Sequence, residues 1–258
     1  MIRFARALFL TNLKATAALR GAFLLQAGFM VLNNVTFFVF WWVLFDRVSE
    51  IRGWRLPDLA LLFGLAATSY GLVAALAGGA RFLARAIDEC ELDTLLTQPQ
   101  PALLYAVGMR SQASGFGDVV SGIGFLWLSG HVTWGTLPLI GLGVLAGSVM
   151  LLAAGIAFFS LPFWLARTEA VSRQLWELLL TFALYPEPLF GGGLRLILYT
   201  VLPAGFVSYL PVRVVTAPSL LSILSLLAGS GAYLWLACWI FRQGLRRYSS
   251  GSRFVVLG

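Results

Sequence analysis

Long apolar runs separated by short polar stretches make up most of the chain. A helix needs about 20 consecutive apolar residues to cross a bilayer. The runs approach or exceed that length, apart from one shorter run at 174–185. The pattern predicts an all-α integral membrane protein with six transmembrane helices. The predicted spans cover residues 22–45, 59–80, 103–128, 137–165, 174–185 and 220–241.

Residues 1–21 have the pattern of an amphipathic helix that precedes the first span. At about 100° per residue, the four basic side chains of this segment fall within an arc of roughly 120°, and apolar side chains such as Phe4 and Leu8 fall opposite. Such a helix lies in the membrane interface with its cations among lipid headgroups. A charged leader to the first span is the alternative. Residues 22–258 form a single predicted transmembrane domain.

The segment 191–215 is apolar but is interrupted by prolines. Pro203 lies in its middle and Pro211 near its end, and proline removes a backbone donor and breaks a helix. Non-helical backbone is tolerated at membrane depth where protein buries it or it lines a cavity. We therefore expect a re-entrant helical pair between spans five and six. In an alternative six-span solution, residues 174–185 are interfacial and residues 194–209 form the fifth span.

Composition and charge support this topology. The chain is 59% hydrophobic and only 11% charged, and its net charge is +7. Soluble domains carry about 25% charged residues. With six spans and one re-entrant pair, 13 of the 18 Lys and Arg residues fall on one side, which the positive-inside bias identifies as cytoplasmic. Both termini are then cytoplasmic, and the excess of positive charge needs no nucleic acid partner. The five basic residues on the outer side are Arg47, Arg52, Arg55, Arg195 and Arg213.

Candidate chemistry of the usual kinds is sparse. The only cysteines, Cys90 and Cys238, are far apart, and His131 is the only histidine, so no metal site is predicted. No two acidic residues of the sequence fall at the same membrane depth on neighbouring predicted spans, which argues against an intramembrane hydrolase. The phosphate-binding pattern G-x-x-x-x-G-K-[ST] is absent. Any ATP-driven work therefore requires a separate subunit.

The segment 81–101 is the longest predicted cytoplasmic loop, and its acidic residues stand out in so apolar a chain. Its spacing predicts one helix that ends at Pro99 and Pro101. Three leucines, Leu92, Leu95 and Leu96, are expected to be exposed beside the acids, and exposed leucines need a partner. Docking on a protein is favoured over an interfacial linker, because acids are unfavourable next to an anionic leaflet.

Three stretches together resemble the ABC type-2 permease family. "ECELDTLLTQPQPALLY" resembles a loop in which the pattern G-x-L-D-x-L-L-x-x-P recurs, with Cys90 or Glu91 where the glycine is expected. "LYPEPLFGGGLRLILYTVLPAGFVSYLPVRVV" is similar to that family's "YP…LR…P…Y.P" segment after span five. The ending "GLRRYSSGS" is similar to its basic C-terminus. The resemblance covers nearly the whole chain.

The resemblance implies one half of an exporter in the bacterial cytoplasmic (inner) membrane. Two cytoplasmic ATPase subunits would bind ATP and Mg²⁺, a second permease chain, identical or related, would complete the pore, and this chain would bind no cofactor itself. Residues 81–101 would form a coupling helix seated on the ATPase. The implied coupling residues are Asp88, Glu91, Leu92, Asp93, Leu95 and Leu96. The implied re-entrant element includes Tyr185, Pro186, Glu187, Pro203 and Pro211. The apolar, aromatic spans fit an amphipathic or lipid-like substrate, and they fit ordinary lipid-facing helices equally well.

Polar residues inside the spans are the candidates for the translocation path, with interhelical hydrogen bonding as the alternative. Asp118 lies about 12 Å deeper in the membrane than Arg110, at 1.5 Å per residue. We therefore expect Asp118 to form a structural ion pair, with a role in a proton relay as the alternative. An ion-coupled carrier or channel using Asp118 and Glu177 is the alternative function. The path candidates are Asn33, Asn34, Thr36, Ser69 and Tyr70.

Overall fold

A computed structural model describes residues 2–99 and 101–248, without the side chains of residues 2–6 and 9. The side chains of Arg3 and Arg6, and the C-terminal residues around Arg253, lie outside this description. Helices form its regular structure, apart from one isolated bridge between Ile51 and Trp54. The helices are α1 (Ile2–Ala18), α2 (Arg20–Arg47), α3 (Leu56–Ala77), α4 (Leu83–Asp88), α5 (Leu92–Leu96), α6 (Ala102–Gly108), α7 (Ala113–Leu128), α8 (Leu137–Phe159), α9 (Glu169–Ala183), α10 (Gly192–Thr200), α11 (Leu210–Thr216) and α12 (Leu220–Arg247).

Four helices of the described chain are long and apolar enough to cross a membrane. They are α2, α3 with its continuation to Asp88, α8 with its continuation to Phe163, and α12. The bent pair of α10 and Gly205–Thr216 adds a fifth if it counts as one span. α7 is apolar but has only 16 residues, and α9 has only 15. The all-α prediction is confirmed for the described residues, and the count of six spans stays a prediction.

The third predicted span is divided in two. We expected one run over 103–128, but the helix ends at Gly108 and restarts at Ala113. Polar groups of the break bind neighbouring elements instead of continuing the helix. Gln112 donates its backbone N–H to Ala74 O at 3.0 Å, and the Arg110 guanidinium lies 4.0 Å from the centre of the Phe82 ring. The chain thus leaves α3 and enters α7 at nearly the same point.

α3 is the central helix of the bundle, and its closest neighbour is α7. Glycines on both helices let the two backbones approach, as small residues do in membrane helix pairs. A Cβ on Gly71 of α3 would lie 2.5 Å from Gly115 O of α7. A Cβ on Gly64 of α3 would lie 2.7 Å from Leu126 Cγ. The two helices therefore form a tightly packed pair around which the others are arranged.

The proline-containing segment is bent by 76° between α10 and the helix over Gly205–Thr216. Pro203 lies in the break between the two arms. A π-helical turn, Gly205–Tyr209, precedes Pro211. A π-helical turn is wider than an α-helical one and accommodates Pro211, which has no backbone N–H to donate to the helix hydrogen bonds.

Both described ends of the chain lie at the same end of the helix bundle. Asn12 of α1 donates a hydrogen bond from Nδ2 to Gly108 O at 2.6 Å, next to the break that follows α6. At the other terminus, the ring of Tyr248 packs edge-to-face on Phe163, with centroids 6.1 Å apart. Residues 81–99 lie at this end too, since Asp88 accepts a hydrogen bond from Arg167 N at 3.3 Å. The interfacial position of α1 stays a prediction.

Candidate functional site

The acidic segment is two short helices rather than the single helix we predicted. α4 ends at Asp88 and α5 begins at Leu92. Between them, Cys90 has a φ of +60°, which is a left-handed conformation that favours glycine. This is the position at which the resembled pattern G-x-L-D-x-L-L-x-x-P has its glycine. The break therefore has a local cause, and Cys90 adopts the turn that glycine would adopt more readily.

Two of the three leucines of this segment are buried within the chain itself. Leu92 is 0% exposed and Leu95 is 7% exposed, whereas Leu96 is 47% exposed. The expectation that Leu92 and Leu95 would be free to contact a partner is wrong, because they join the same buried cluster as Ile87 of α4. Their side chains instead fix the segment to the bundle. The surface left for a partner contains Leu96 with the exposed residues Glu91, Thr94, Thr97 and Gln98.

The remaining acids of the segment also contact the rest of the chain. Asp88 Oδ1 accepts the Arg167 N–H, which joins α4 to the turn before α9. Tyr248, just past α12, lies next to Asp93. Burial of the Tyr248 phenol raises its pKa above the usual value, and the neighbouring Asp93 charge raises it further. The segment is thus tied to the turn before α9 and to the end of α12.

A cavity of about 330 Å³ lies among α2, α3, α7, α8 and α9. Of the path candidates, Asn33, Asn34 and Tyr70 line it. Thr36 does not line it and donates its hydroxyl to Leu32 O at 2.8 Å on its own helix. Ser69 is buried and donates its hydroxyl to Val144 O at 3.1 Å, so it joins α3 to α8. The further lining residues are Met30, Phe37, Phe63, Ala66, Ala67, Asp118, Leu151, Glu177, Leu180, Thr181, Ala183, Leu184 and Val207.

Asp118 also lines the cavity, and its partner is an amide rather than a cation. Asn34 donates from Nδ2 to Asp118 Oδ1 at 2.8 Å and to Ser121 Oγ at 2.8 Å. Asp118 is only 2% exposed, and its Oδ2 has no hydrogen-bond partner among the described residues. The expected ion pair is wrong for the part of the chain that the structure describes, because the neighbouring polar side chains on α2 and α7 are neutral.

Arg81 and Glu177 join Tyr70 at one end of the cavity, a grouping that the sequence analysis missed. Arg81 donates from Nη1 to Tyr70 Oη at 2.9 Å. Its Nη2 lies 3.7 Å from Glu177 Oε1 of α9. The spacing of 11 residues between Tyr70 and Arg81 places both on one helical face, and that spacing was the available signal.

Glu187 connects the turn after α9 to the bent segment. Its Oε1 lies 2.6 Å from Arg195 Nη2 and accepts the Tyr199 hydroxyl at 2.9 Å. The neighbouring Tyr185 packs edge-to-face on Trp41 of α2, with centroids 5.5 Å apart, and Pro186 is buried. The two contacts of Glu187 hold α10 against the chain that precedes it.

A family model described as "ABC-2 family transporter protein" matches residues 31–252. The chain belongs to the ABC-2 transporter family. A search of the curated proteins found no match. Membership makes the chain a multi-pass membrane permease of an ABC transporter, a transport component that is not itself catalytic and that works with an ABC ATPase.

Within this ABC-2 permease, Arg81 connects the start of the acidic segment to one end of the cavity. Among the described residues, no group of three or more His, Cys, Asp or Glu side chains could hold a metal ion. His131 Nε2 lies 4.0 Å from Asp58 Oδ1, near the start of α3. The cavity has one buried carboxylate, Asp118, and its other polar lining residues are Asn33, Asn34, Tyr70, Glu177 and Thr181.

Proposed function

We propose that this permease is one half of an ATP-driven exporter of an amphipathic or lipid-like substrate in the bacterial cytoplasmic membrane. Two permease chains, identical or related, and two cytoplasmic ATPase subunits make up the complex. ATP and Mg²⁺ bind to the ATPase subunits. The cavity with Asp118 is part of the substrate path. Family membership favours this function over an ion-coupled carrier.

The observation that carries the proposal is the construction of the acidic segment. Leu92 and Leu95 are buried in the bundle, while Leu96 is exposed beside Glu91 and Thr94. An exposed leucine beside a carboxylate suits a partner surface with an apolar pocket and a basic rim. Asp88 contacts the turn before α9, and Asp93 lies next to Tyr248 just past α12. Movement of this surface therefore reaches both of those helices.

Six membrane crossings, with the bent segment re-entrant from the outer side, complete the proposed arrangement. The two short helices α7 and α9 then cross together with α2, α3, α8 and α12. Two considerations support this: the described chain ends lie at the same end of the bundle, and the six-span assignment of the sequence puts 13 of the 18 Lys and Arg residues on one side. Both termini and the acidic segment are then cytoplasmic.

The second permease chain is proposed to pack on the outward faces of the bundle. The apolar stretch of α2 is only 17% buried within the chain and that of α12 only 22%, whereas that of α3 is 83% buried. Faces so apolar contact either lipid or another membrane helix. Two chains joined through α2 or α12 would complete a path that one chain leaves open.

Copurification of the ATPase from membranes tests the coupling surface. The variant Glu91→Lys with Leu96→Ala changes only exposed side chains of the segment. We expect a normal level of permease in the membrane and at least tenfold less bound ATPase, because a charge clash and a lost apolar contact act together. The matched control is Glu50→Lys with Leu128→Ala, two exposed residues at the other end of the bundle. Unchanged ATPase recovery in the test variant, or equal loss in the control, would contradict the proposal.

A further inference from the structure

We propose that Asp118 is the recognition point for an amphipathic cation: a largely apolar molecule that carries one protonated amine. The inference rests on the proposed function, since it names the class of substrate that enters the cavity. It is argued from the geometry and charge of the lining residues.

The first step is the half-satisfied carboxylate. Asn34 occupies Oδ1 of Asp118 at 2.8 Å, and Ser121 directs its hydroxyl to Asp118 O at 3.1 Å. Oδ2 has no partner among the described residues, and Asp118 is buried. When Asp118 is ionised, its oxygens only accept hydrogen bonds, so Oδ2 needs a donor. An ammonium group supplies three donors and the opposite charge.

The second step is the balance of charge around the cavity. Two of the lining residues are acidic, Asp118 and Glu177. Glu177 is 3.7 Å from Arg81, so its charge has a partner within the permease. Asp118 forms no ion pair with a described residue, and its contacts with Asn34 and Ser121 are neutral. An ionised Asp118 without a counter-charge is unfavourable when buried, and a cationic ligand reduces that cost.

The third step is the rest of the wall. Phe37 of α2 and Phe63 of α3 line the cavity together with Leu151 and Leu180. Aromatic faces attract cations, and the attraction grows when water is excluded. The volume of about 330 Å³ is at the lower end of the range for small-molecule sites. An aromatic or branched body of one or two rings fits that space, with its amine at Asp118.

The fourth step concerns the entrance to the cavity. Asn33, Glu177 and Thr181 are exposed, while Asp118 is buried. The cavity therefore opens along the cleft between α2 and α9 and is closed at α7. An amphiphile entering from the side passes the amide of Asn33 before its amine reaches Asp118. An anion of the same shape is repelled by the carboxylate, and a neutral molecule gains only the apolar contact.

Three matched probes test the inference on the full-length permease in phosphatidylcholine nanodiscs at pH 7 without ATP. They are 1-naphthylmethylammonium, 1-naphthalenemethanol and 1-naphthoate, which share one ring system and differ in charge. Binding is measured by equilibrium dialysis, with empty nanodiscs subtracted. We expect the cation to bind at least tenfold more tightly than the alcohol, about 1.4 kcal/mol, and the anion to bind most weakly.

Asp118→Asn keeps the size of the side chain and removes its charge. We expect it to weaken binding of the cation about tenfold and to leave binding of the alcohol unchanged, which also shows that the variant is folded. Asp118→Glu should retain a preference for the cation. Glu169→Gln is the matched control, because it removes a carboxylate of α9 that pairs with Arg173 outside the cavity. Wild-type protein that binds the three probes equally, or an Asp118→Asn variant that keeps the preference, would overturn the inference.

A separate readout distinguishes this inference from the exporter itself. ATP-dependent accumulation of the cation in vesicles that contain permease and ATPase tests the proposed function. Asp118-dependent binding of the cation without its ATP-dependent accumulation would support the cation site and contradict the proposed exporter. If the ATPase copurifies and another compound is transported, but the permease shows no preference among the three probes, the exporter is supported and the cation site is contradicted.

Discussion

Gly122 of α7 packs directly on the backbone of Thr68 in α3. A Cβ at position 122 would lie 2.6 Å from Thr68 N, closer than real side-chain contacts allow. Two residues further along α7, a Cβ at Gly124 would meet nothing within 4 Å. The same helix thus offers one glycine that the packing requires and one that it does not.

Gly122→Ala should therefore destabilise the permease by about 2–3 kcal/mol, as overpacking of a close contact does. Gly124→Ala should be neutral or stabilising by up to about 1 kcal/mol, because alanine favours the helix. Thermal unfolding in detergent, followed by tryptophan fluorescence, measures both. Equal stability of the two variants would show that α3 and α7 are not in close contact.

Leu92 and Leu96 should respond differently to truncation, although they are four residues apart in one segment. Leu92→Ala leaves a cavity in the core, and we expect a loss of about 2–5 kcal/mol. Leu96→Ala removes an exposed side chain, and we expect a change within about 0.5 kcal/mol. The level of folded permease in detergent extracts distinguishes them. A fully stable Leu92→Ala variant would mean that the segment is not fixed to the bundle as described.

Cys90→Gly should stabilise the turn between α4 and α5 by about 1 kcal/mol, because a left-handed residue other than glycine is strained by roughly that amount. Glu91→Gly is the matched control. Glu91 has a φ of −67°, so glycine relieves nothing there and only adds freedom to the unfolded chain. A rise in the unfolding midpoint is expected for the first variant alone. A fall for Cys90→Gly would show that the thiol makes a contact that outweighs the strain.

Cysteine labelling in intact cells checks the proposed topology. In a background with Cys90→Gly and Cys238→Ala, we expect an impermeant maleimide to label Ser49→Cys and not Ser250→Cys. Permeabilised cells should give labelling of both, which controls for reactivity. Labelling of both positions from outside would rule out the six-span arrangement with cytoplasmic termini.

Sequence patterns predicted the helices better than they predicted which residues meet. Apolar runs located α2, α3, α8 and α12 because each is long enough to be unmistakable. The break after Gly108 escaped prediction, since it depends on Ala74 accepting a bond from Gln112. A run of apolar residues does not reveal such a partner. The grouping of Asn34 with Asp118 depends in the same way on how α2 crosses α7.

The acidic segment shows the limit within a single motif. Helical periodicity treated Leu92, Leu95 and Leu96 alike, and a continuous helix would have presented them together. The left-handed turn at Cys90 divides the segment and turns Leu92 and Leu95 towards the bundle. Only a resemblance that expects glycine at this place carries information about that turn. Burial then follows from tertiary contacts, which the spacing of leucines does not encode.

The two ends of residues 78–112 lie next to each other, and this has a consequence for how such permeases diversify. Gln112 donates to Ala74 O at 3.0 Å and, through its side chain, to Gly78 O at 3.4 Å, so the excursion begins and ends at one place. A segment whose two ends meet costs little chain entropy to lengthen. Residues 78–112 nevertheless carry Arg81, which pairs with Glu177 at the cavity, and the buried Leu92 and Leu95. Exchanging this segment between relatives should therefore change which ATPase binds, without changing the substrate, only when those three residues are kept.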